Sequence, residues 1–166
     1  VEGGKLGARF LCETIGDAGE VAMLEGFVGV ANAEDRKRGF HEEIAKHKGV
    51  KLVASQTANW YTEGAVTVTA GLLKKYPDLK GIFCANDLMA LGAIRAIEQA
   101  GRAGKVVVVG FDNIEPVRAA LLSGALAGTV EQWPDWMGGE AVRVANELRT
   151  RGTLESRDRR SPLEMI

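Results

Sequence analysis

The sequence is short of the residues that most often carry chemistry: 166 residues include only two histidines and two cysteines. His41 and His47 are six apart in one charged, helix-patterned stretch. That spacing puts them on different faces and argues against a shared metal. Cys12 and Cys84 fall in different predicted elements and read as buried, unpaired thiols, with a bridge left open by spacing alone. The formal net charge is -1, which removes any bulk electrostatic drive toward nucleic acid or a lipid surface. Arg157, Arg159 and Arg160 are interleaved with Glu155 and Asp158, the pattern of a solvated tail. No stretch reaches the roughly 18 apolar residues of a membrane-crossing helix, and no basic-then-apolar leader opens the chain. The first residue is Val1, not Met, so a processed or trimmed piece of something longer is expected. Neither G-x-G-x-x-G nor G-K-[ST] occurs, which argues against nucleotide binding.

What is present is ordinary globular material, 46% hydrophobic and 26% charged, enough for one domain with a sizeable core. Short runs rich in Val, Ile, Leu and Phe alternate with helical patterns, the signature of βα units and a parallel sheet. Strands are expected over 19–26, 50–56, 79–85, 105–111 and 125–132. The run Val106 to Val109 has no polar alternation, as a strand covered on both faces requires. Helices are expected over 2–16, 34–48, 61–75, 88–100, 114–122 and 135–151. Thr62 reads as the N-cap of the third, Asp87 as the N-cap of the fourth, and Gly101 as the stop that follows it. Past Gly152 only "PLEMI" could form a short strand. The fold class is therefore α/β, a doubly wound parallel sheet of flavodoxin-like type.

In such sheets ligands bind beyond the carboxyl ends of the strands. Read in order, those ends deliver Arg36, Trp60 in "TANWY", Asn86 in "CAND", Asp112 in "GFDN" and Gln132 in "VEQWPDW". A cation, an aromatic plate, two carboxamides and a carboxylate suit a polyhydroxylated ligand. Each hydroxyl both donates and accepts, Arg only donates, Asp only accepts, and Asn or Gln does both. The aromatic face covers the C–H face of a sugar ring. Taken singly, each residue has a plainer use. Arg36 fits a surface charge, Trp60 a core position, Asn86 a turn or second cap, and Asp112 an Asx-turn; Gln132 alone says little. No Ser-His-Asp or Cys-His constellation stands at the strand ends, so no catalytic residue and no cofactor is expected.

The stretches "VEGGKLG" (1–7), "NAEDRKRGF" (32–40), "LVASQTANW" (52–60), "FCANDLMALGAIRAIEQAG" (83–101), "VVVVGFDN" (106–113) and "GTVEQWPDWMG" (128–138) occur in this order. With them the chain resembles the ribose-binding proteins of bacterial ABC importers, within the type I periplasmic binding protein family. The resemblance implies the second of two α/β lobes, with a sugar held between them. It places the sugar contacts of that lobe on Arg36, Trp60, Asn86, Asp112 and Gln132. Trp60 stands where the family usually has Phe, which implies a pocket shaped for another pentose or a hexose. Residues 1–132 map to the sugar-binding lobe. Residues 133–166 map to a hinge-crossing helix and tail that belong with the other lobe. The implied partners are a monosaccharide and a membrane permease, and the implied compartment is the periplasm or its extracytoplasmic equivalent.

A lone lobe is an open half-site, so the isolated chain is expected to bind monosaccharides in the millimolar range or not at all. The helix over 135–151, without its partner, is expected to fold back on its own sheet or exchange between two copies, giving a homodimer. Two other readings share the fold. The effector domain of a LacI-type repressor has the same "ND…GFD" pattern, but it usually carries a further step before the fourth strand and a DNA-binding head. A response-regulator receiver needs an acidic cluster after the first strand and a Lys after the last. Here Glu25 stands alone and no Lys follows the fifth strand.

Overall fold

The computed structural model describes residues 1–153 and 161–166; the basic cluster around Arg157 to Arg160 lies outside the described residues. Among the described residues six α-helices and six strands follow in the order α1 (Glu2–Thr14), β1 (Gly19–Glu25), α2 (Ala31–Ile44), β2 (Val50–Thr57), α3 (Thr62–Lys75) and β3 (Leu79–Cys84). Then come α4 (Asp87–Gln99), β4 (Val107–Phe111), α5 (Arg118–Ser123), β5 (Gly128–Glu131), α6 (Pro134–Arg151) and β6 (Glu164–Met165). The sheet order is β2-β1-β3-β4-β5-β6. The first five strands run parallel, and β6 returns antiparallel to β5. This is the doubly wound α/β lobe expected from the alternation of apolar runs and helical patterns. Among the described residues no helix is long and apolar enough to cross a membrane.

Both faces of the central strands are covered. Val21 to Leu24 of β1 and Ile82 to Cys84 of β3 are fully buried, which is why these stretches read as continuous apolar runs. On one face Phe40 of α2 stacks on Phe83 of β3, with centroids 4.9 Å apart and planes 11° from parallel. Helices α1 and α2 touch backbone to backbone: a Cβ on Gly39 would lie 1.9 Å from the Val1 carbonyl oxygen. That close approach needs glycine and brings the first turns of α2, with Arg36, down onto the strand ends.

Several element ends differ from expectation. Helix α2 begins at Ala31 and stops at Ile44, leaving His47 in the turn that enters β2. The segment expected as one helix over 114–122 is a 3-10 turn, Glu115–Val117, followed by the short α5. Thr62 is not the cap of α3 but its first residue; Tyr61 occupies the cap, and the Thr62 hydroxyl donates to the Leu88 carbonyl at 3.0 Å. Asp87 is likewise not the cap of α4. Asn86 caps it, its Oδ1 accepting from the Met89 N–H at 2.9 Å, and Asp87 is turned inward and fully buried.

Helix α6 does not fold back on the sheet. Of its 18 residues only Glu147 is buried, while Trp136, Met137, Val142 and Leu148 are exposed. The physical reason is that α1 to α4 already cover the sheet and leave no bare apolar face for a further helix. After α6 the chain rejoins the lobe, where Met165 pairs with Val130 and Glu164 with Glu131.

Candidate functional site

The carboxyl ends of β1 to β5 converge on Arg36. The residue as a whole is 8% exposed, which is unusual for a cation and requires partners for its guanidinium. Nη1 donates to the Ala85 carbonyl, and Nη2 donates to Asp112 Oδ1 at 3.1 Å and to Gln132 Oε1 at 3.3 Å. The guanidinium carbon lies 3.8 Å from the Phe111 ring centroid and 5.5 Å from that of Trp60, within cation–π reach of both rings. Gln132 closes the triangle by donating from Nε2 to Asp112 Oδ1 at 2.5 Å.

Asp112 is held in an unusual backbone conformation, φ 108°, next to Asn113 at φ 52°. Asn59 and Trp60 at the end of β2, with φ of 56° and 66°, and Trp133 after β5, with φ of 52°, share the left-handed region. Five of the six non-glycine residues with positive φ among the described residues thus flank this one site, and such strain concentrates where side chains must be aimed. Burial pushes the Asp112 carboxyl up to about 6, against the pull of Arg36, with Asp87 and Glu131 raising it further. Burial also pulls the Arg36 guanidinium down, opposed by Asp112. Both shifts record two charges taken partly out of water, an arrangement whose ionic form a ligand's hydroxyls would help to satisfy.

Asn86 is bound to the scaffold at both ends of its amide. Besides capping α4, it donates from Nδ2 to the Trp60 carbonyl at 3.3 Å, so it ties the β2 loop to the β3 end. One amide hydrogen remains uncommitted by these bonds. The Trp60 ring is half-buried and lies over Gly26, where a Cβ would be 2.1 Å from the indole. Next to it, Phe27 and Tyr61 meet edge to face at 5.8 Å and form an exposed apolar rim. All five residues named from the sequence therefore form one connected cluster.

Two residues in this cluster lay outside the sequence expectation. Phe111 is the plate beneath Arg36; its position immediately before Asp112 was the available signal. Asp87 is the buried strut of the β4–β5 end. Its Oδ1 accepts from the Phe111 N–H at 2.9 Å and the Thr129 hydroxyl at 2.8 Å, and its Oδ2 accepts from the Ile114 N–H at 2.9 Å. Gly110 makes room for it, since a Cβ there would lie 2.1 Å from Asp87 Oδ1. Asp87 thereby fixes both ends of the segment that carries Asp112.

The cluster is an open surface. A broad cavity of about 590 Å³ has Arg36 and Gln132 in its wall beside Val1, Asn32, Phe111 and Met137; Trp60, Asn86 and Asp112 are not part of that wall. Another groove of about 500 Å³ lies toward the amino ends of the strands, between α4 and β4, and contains none of the five. The residues can hold a polar ligand from one side only, and among the described residues nothing covers it from the other.

Residues 1–153 match a family described as the periplasmic binding protein domain. The D-allose-binding periplasmic protein of Escherichia coli (strain K12) is 36% identical over 164 residues, which are 98% of this chain and 53% of that protein. The ribose import binding protein of Salmonella typhimurium is 38% identical over 148 residues, or 89% of this chain and 49% of that protein. An ABC transporter periplasmic solute-binding protein from Actinobacillus succinogenes, solved with bound D-allose, superposes with a TM-score of 0.93 at 40% identity, covering 99% of this chain and 58% of that one. The chain spans about half the length of the curated relatives it matches. With its parallel sheet, its strand-end cluster and this match along nearly its whole length, the chain belongs to the periplasmic binding protein family.

Proposed function

We propose that this chain is the monosaccharide-binding half of an ABC importer's solute-binding protein, and that Arg36, Trp60, Asn86, Asp112 and Gln132 are its ligand contacts. The observation that carries this reading is the half-buried Arg36–Asp112–Gln132 triangle at the strand ends, built on a buried guanidinium beside aromatic rings. Arg36 and Asp112 supply charge-assisted bonds to hydroxyls, Gln132 and Asn86 supply bonds of either sense, and Trp60 offers an apolar plate. The named relatives are D-allose and ribose binders, which supports an aldopentose or aldohexose as ligand. The role is capture without chemistry, because the groups at the site bind hydroxyls and include no activated nucleophile or base–nucleophile pair.

The same reading assigns residues 1–132 to this lobe and α6 to the other, while β6 returns to pair with β5 of this lobe. Helix α6, exposed along most of its length, packs in the whole protein against the other lobe, and the permease of the importer receives the closed, loaded form in the periplasm. An isolated lobe presents that helix to solvent and pairs with a second copy through it. Calorimetry on the full-length protein with D-allose and D-ribose tests the ligand assignment, with Asp112→Ala and Asn86→Ala as variants. Losing a buried hydrogen-bonding partner costs on the order of 1–3 kcal/mol in each. Unchanged affinity in both variants refutes the site.

A further inference from the structure

At the opposite end of the sheet, near the amino ends of β1 and β2, a thiol, an imidazole and a carboxylate meet. Cys12 Sγ, a ring nitrogen of His47 and a carboxylate oxygen of Asp17 all lie within 4.8 Å of one another, the one such group of three among the described residues. We propose that this cluster is a binding site for a zinc-class divalent ion, with Cys12, His47 and Asp17 as ligands and water in the fourth position.

The donor set is the one zinc takes: a soft sulfur, a borderline nitrogen and a hard oxygen. Bond lengths of about 2.0 Å to N and O and 2.3 Å to S put tetrahedral ligands roughly 3.3–3.6 Å apart, so the widest separation closes by little more than about an ångström, while His47 Nδ1 and Asp17 Oδ1, now 2.6 Å apart, exchange their hydrogen bond for the ion and move apart by less than that. Asp17 supplies that movement, because its side chain is 58% exposed whereas that of His47 is 17% exposed. Cys12 is fully buried at the floor, so an ion enters from the Asp17 side.

The surroundings hold the three groups in place. Asp17 sits in the left-handed region, φ 54°, the only non-glycine residue there away from the strand-end site among the described residues. Its N–H donates to the Cys12 carbonyl at 2.8 Å, which folds its loop back over the end of α1. The loop before β2 presses on it, since a Cβ at Gly49 would lie 2.3 Å from the Asp17 carbonyl oxygen. His47 Nδ1 faces Asp17 Oδ1 at 2.6 Å, and Nε2 faces Glu43 Oε1 at 3.9 Å. Coordination through Nδ1 puts the ring proton on Nε2, on the side of the ring that faces Glu43 at 3.9 Å, a residue itself buried and paired with Arg9 and Lys46 outside the ligand set. The Cys12 Sγ–H proton passes to solvent as the sulfur binds, and no electron transfer is involved.

Cobalt(II), titrated into the purified chain as an optical stand-in, tests the site. The expected result is saturable 1:1 binding with a thiolate-to-cobalt charge-transfer band in the near ultraviolet, reversed by zinc. Cys12→Ser abolishes the band, and Asp17→Asn and His47→Gln each weaken binding at least tenfold, while His41→Gln leaves it unchanged. Asp17 is exposed, so its variant folds even where Cys12→Ser does not. Absence of saturable binding, cobalt bound without the charge-transfer band, or a band retained in Cys12→Ser overturns the proposal.

Discussion

Asp87 offers the sharpest test of how the strand-end site is built. If it were only a cap, Asp87→Ala would cost about 1 kcal/mol and Asp87→Asn almost nothing, because Asn caps as well as Asp. As a buried strut it behaves differently. Asp87→Ala strands the N–H groups of Phe111 and Ile114 and the Thr129 hydroxyl, each of which now donates to the carboxylate at 2.8–2.9 Å. Hydrogen bonds to a charged group are worth about 1.5–3 kcal/mol each, but removing the carboxylate also removes its own burial cost. That cost is what raises the Asp87 carboxyl, burial being its largest influence and hydrogen bonds from Ile114, Thr129, Phe111 and Asn113 opposing it. The balance is a loss of about 3–5 kcal/mol, a large share of the stability of a domain this size. Asp87→Asn keeps one acceptor oxygen for Phe111 and Thr129 but turns an amide N–H toward the Ile114 N–H. It should cost about 1–3 kcal/mol. Urea unfolding followed by tryptophan fluorescence measures both. An Asn variant as stable as the wild type, or an Ala variant within about 1 kcal/mol of it, refutes the strut.

Further outcomes follow from the same geometry. The Asp112 carboxyl is raised from 3.8 to about 6, so the folded state holds a proton that the unfolded chain releases between those values, and stability falls as pH rises across that window. Asp112→Asn should remove this component, seen as a flatter difference in urea midpoint between pH 4 and 7; an unchanged slope contradicts it. The isolated chain should bind D-ribose or D-allose no tighter than millimolar, and a micromolar constant by calorimetry would show that the half-site is sufficient. Trp136, Met137, Val142 and Leu148 are exposed on α6, so sedimentation should reveal self-association at high concentration that Met137→Glu reduces. A monomer at every concentration sinks that expectation.

Much of the fold was legible because β1, β3 and β4 are buried on both faces, and uninterrupted apolar runs such as Val106–Val109 report that directly. The strand-end residues were legible for a related reason: a polar side chain directly after such a run has a strand end as its natural place. The cap of α4 falls on Asn86 and not Asp87 because capping depends on which of two adjacent residues leaves the strand with extended φ, and composition does not encode that. Asn86, at φ -152°, takes the cap and Asp87 turns inward. Of the two placements expected for α6, the fold-back on the sheet fails because its apolar residues announce a need for burial without naming the surface. Phe111 was not singled out, since an aromatic at a strand end serves equally as core filling or as a plate under a cation. The Cys12–Asp17–His47 group was invisible for a different reason. His47 was compared with the other histidine in its own helical stretch, whereas its neighbours come from the end of α1, about thirty residues away.

The central claim is that the Arg36–Asp112–Gln132 triangle grips sugar hydroxyls at the sheet edge. A crystal structure of the full-length protein soaked with D-allose measures this most directly. The account predicts ring hydroxyl oxygens within about 3 Å of both the Arg36 guanidinium and the Asp112 carboxylate, with the Trp60 indole against the sugar's C–H face. A sugar bound elsewhere on the lobe, with those three side chains still bonded only to one another, would contradict it.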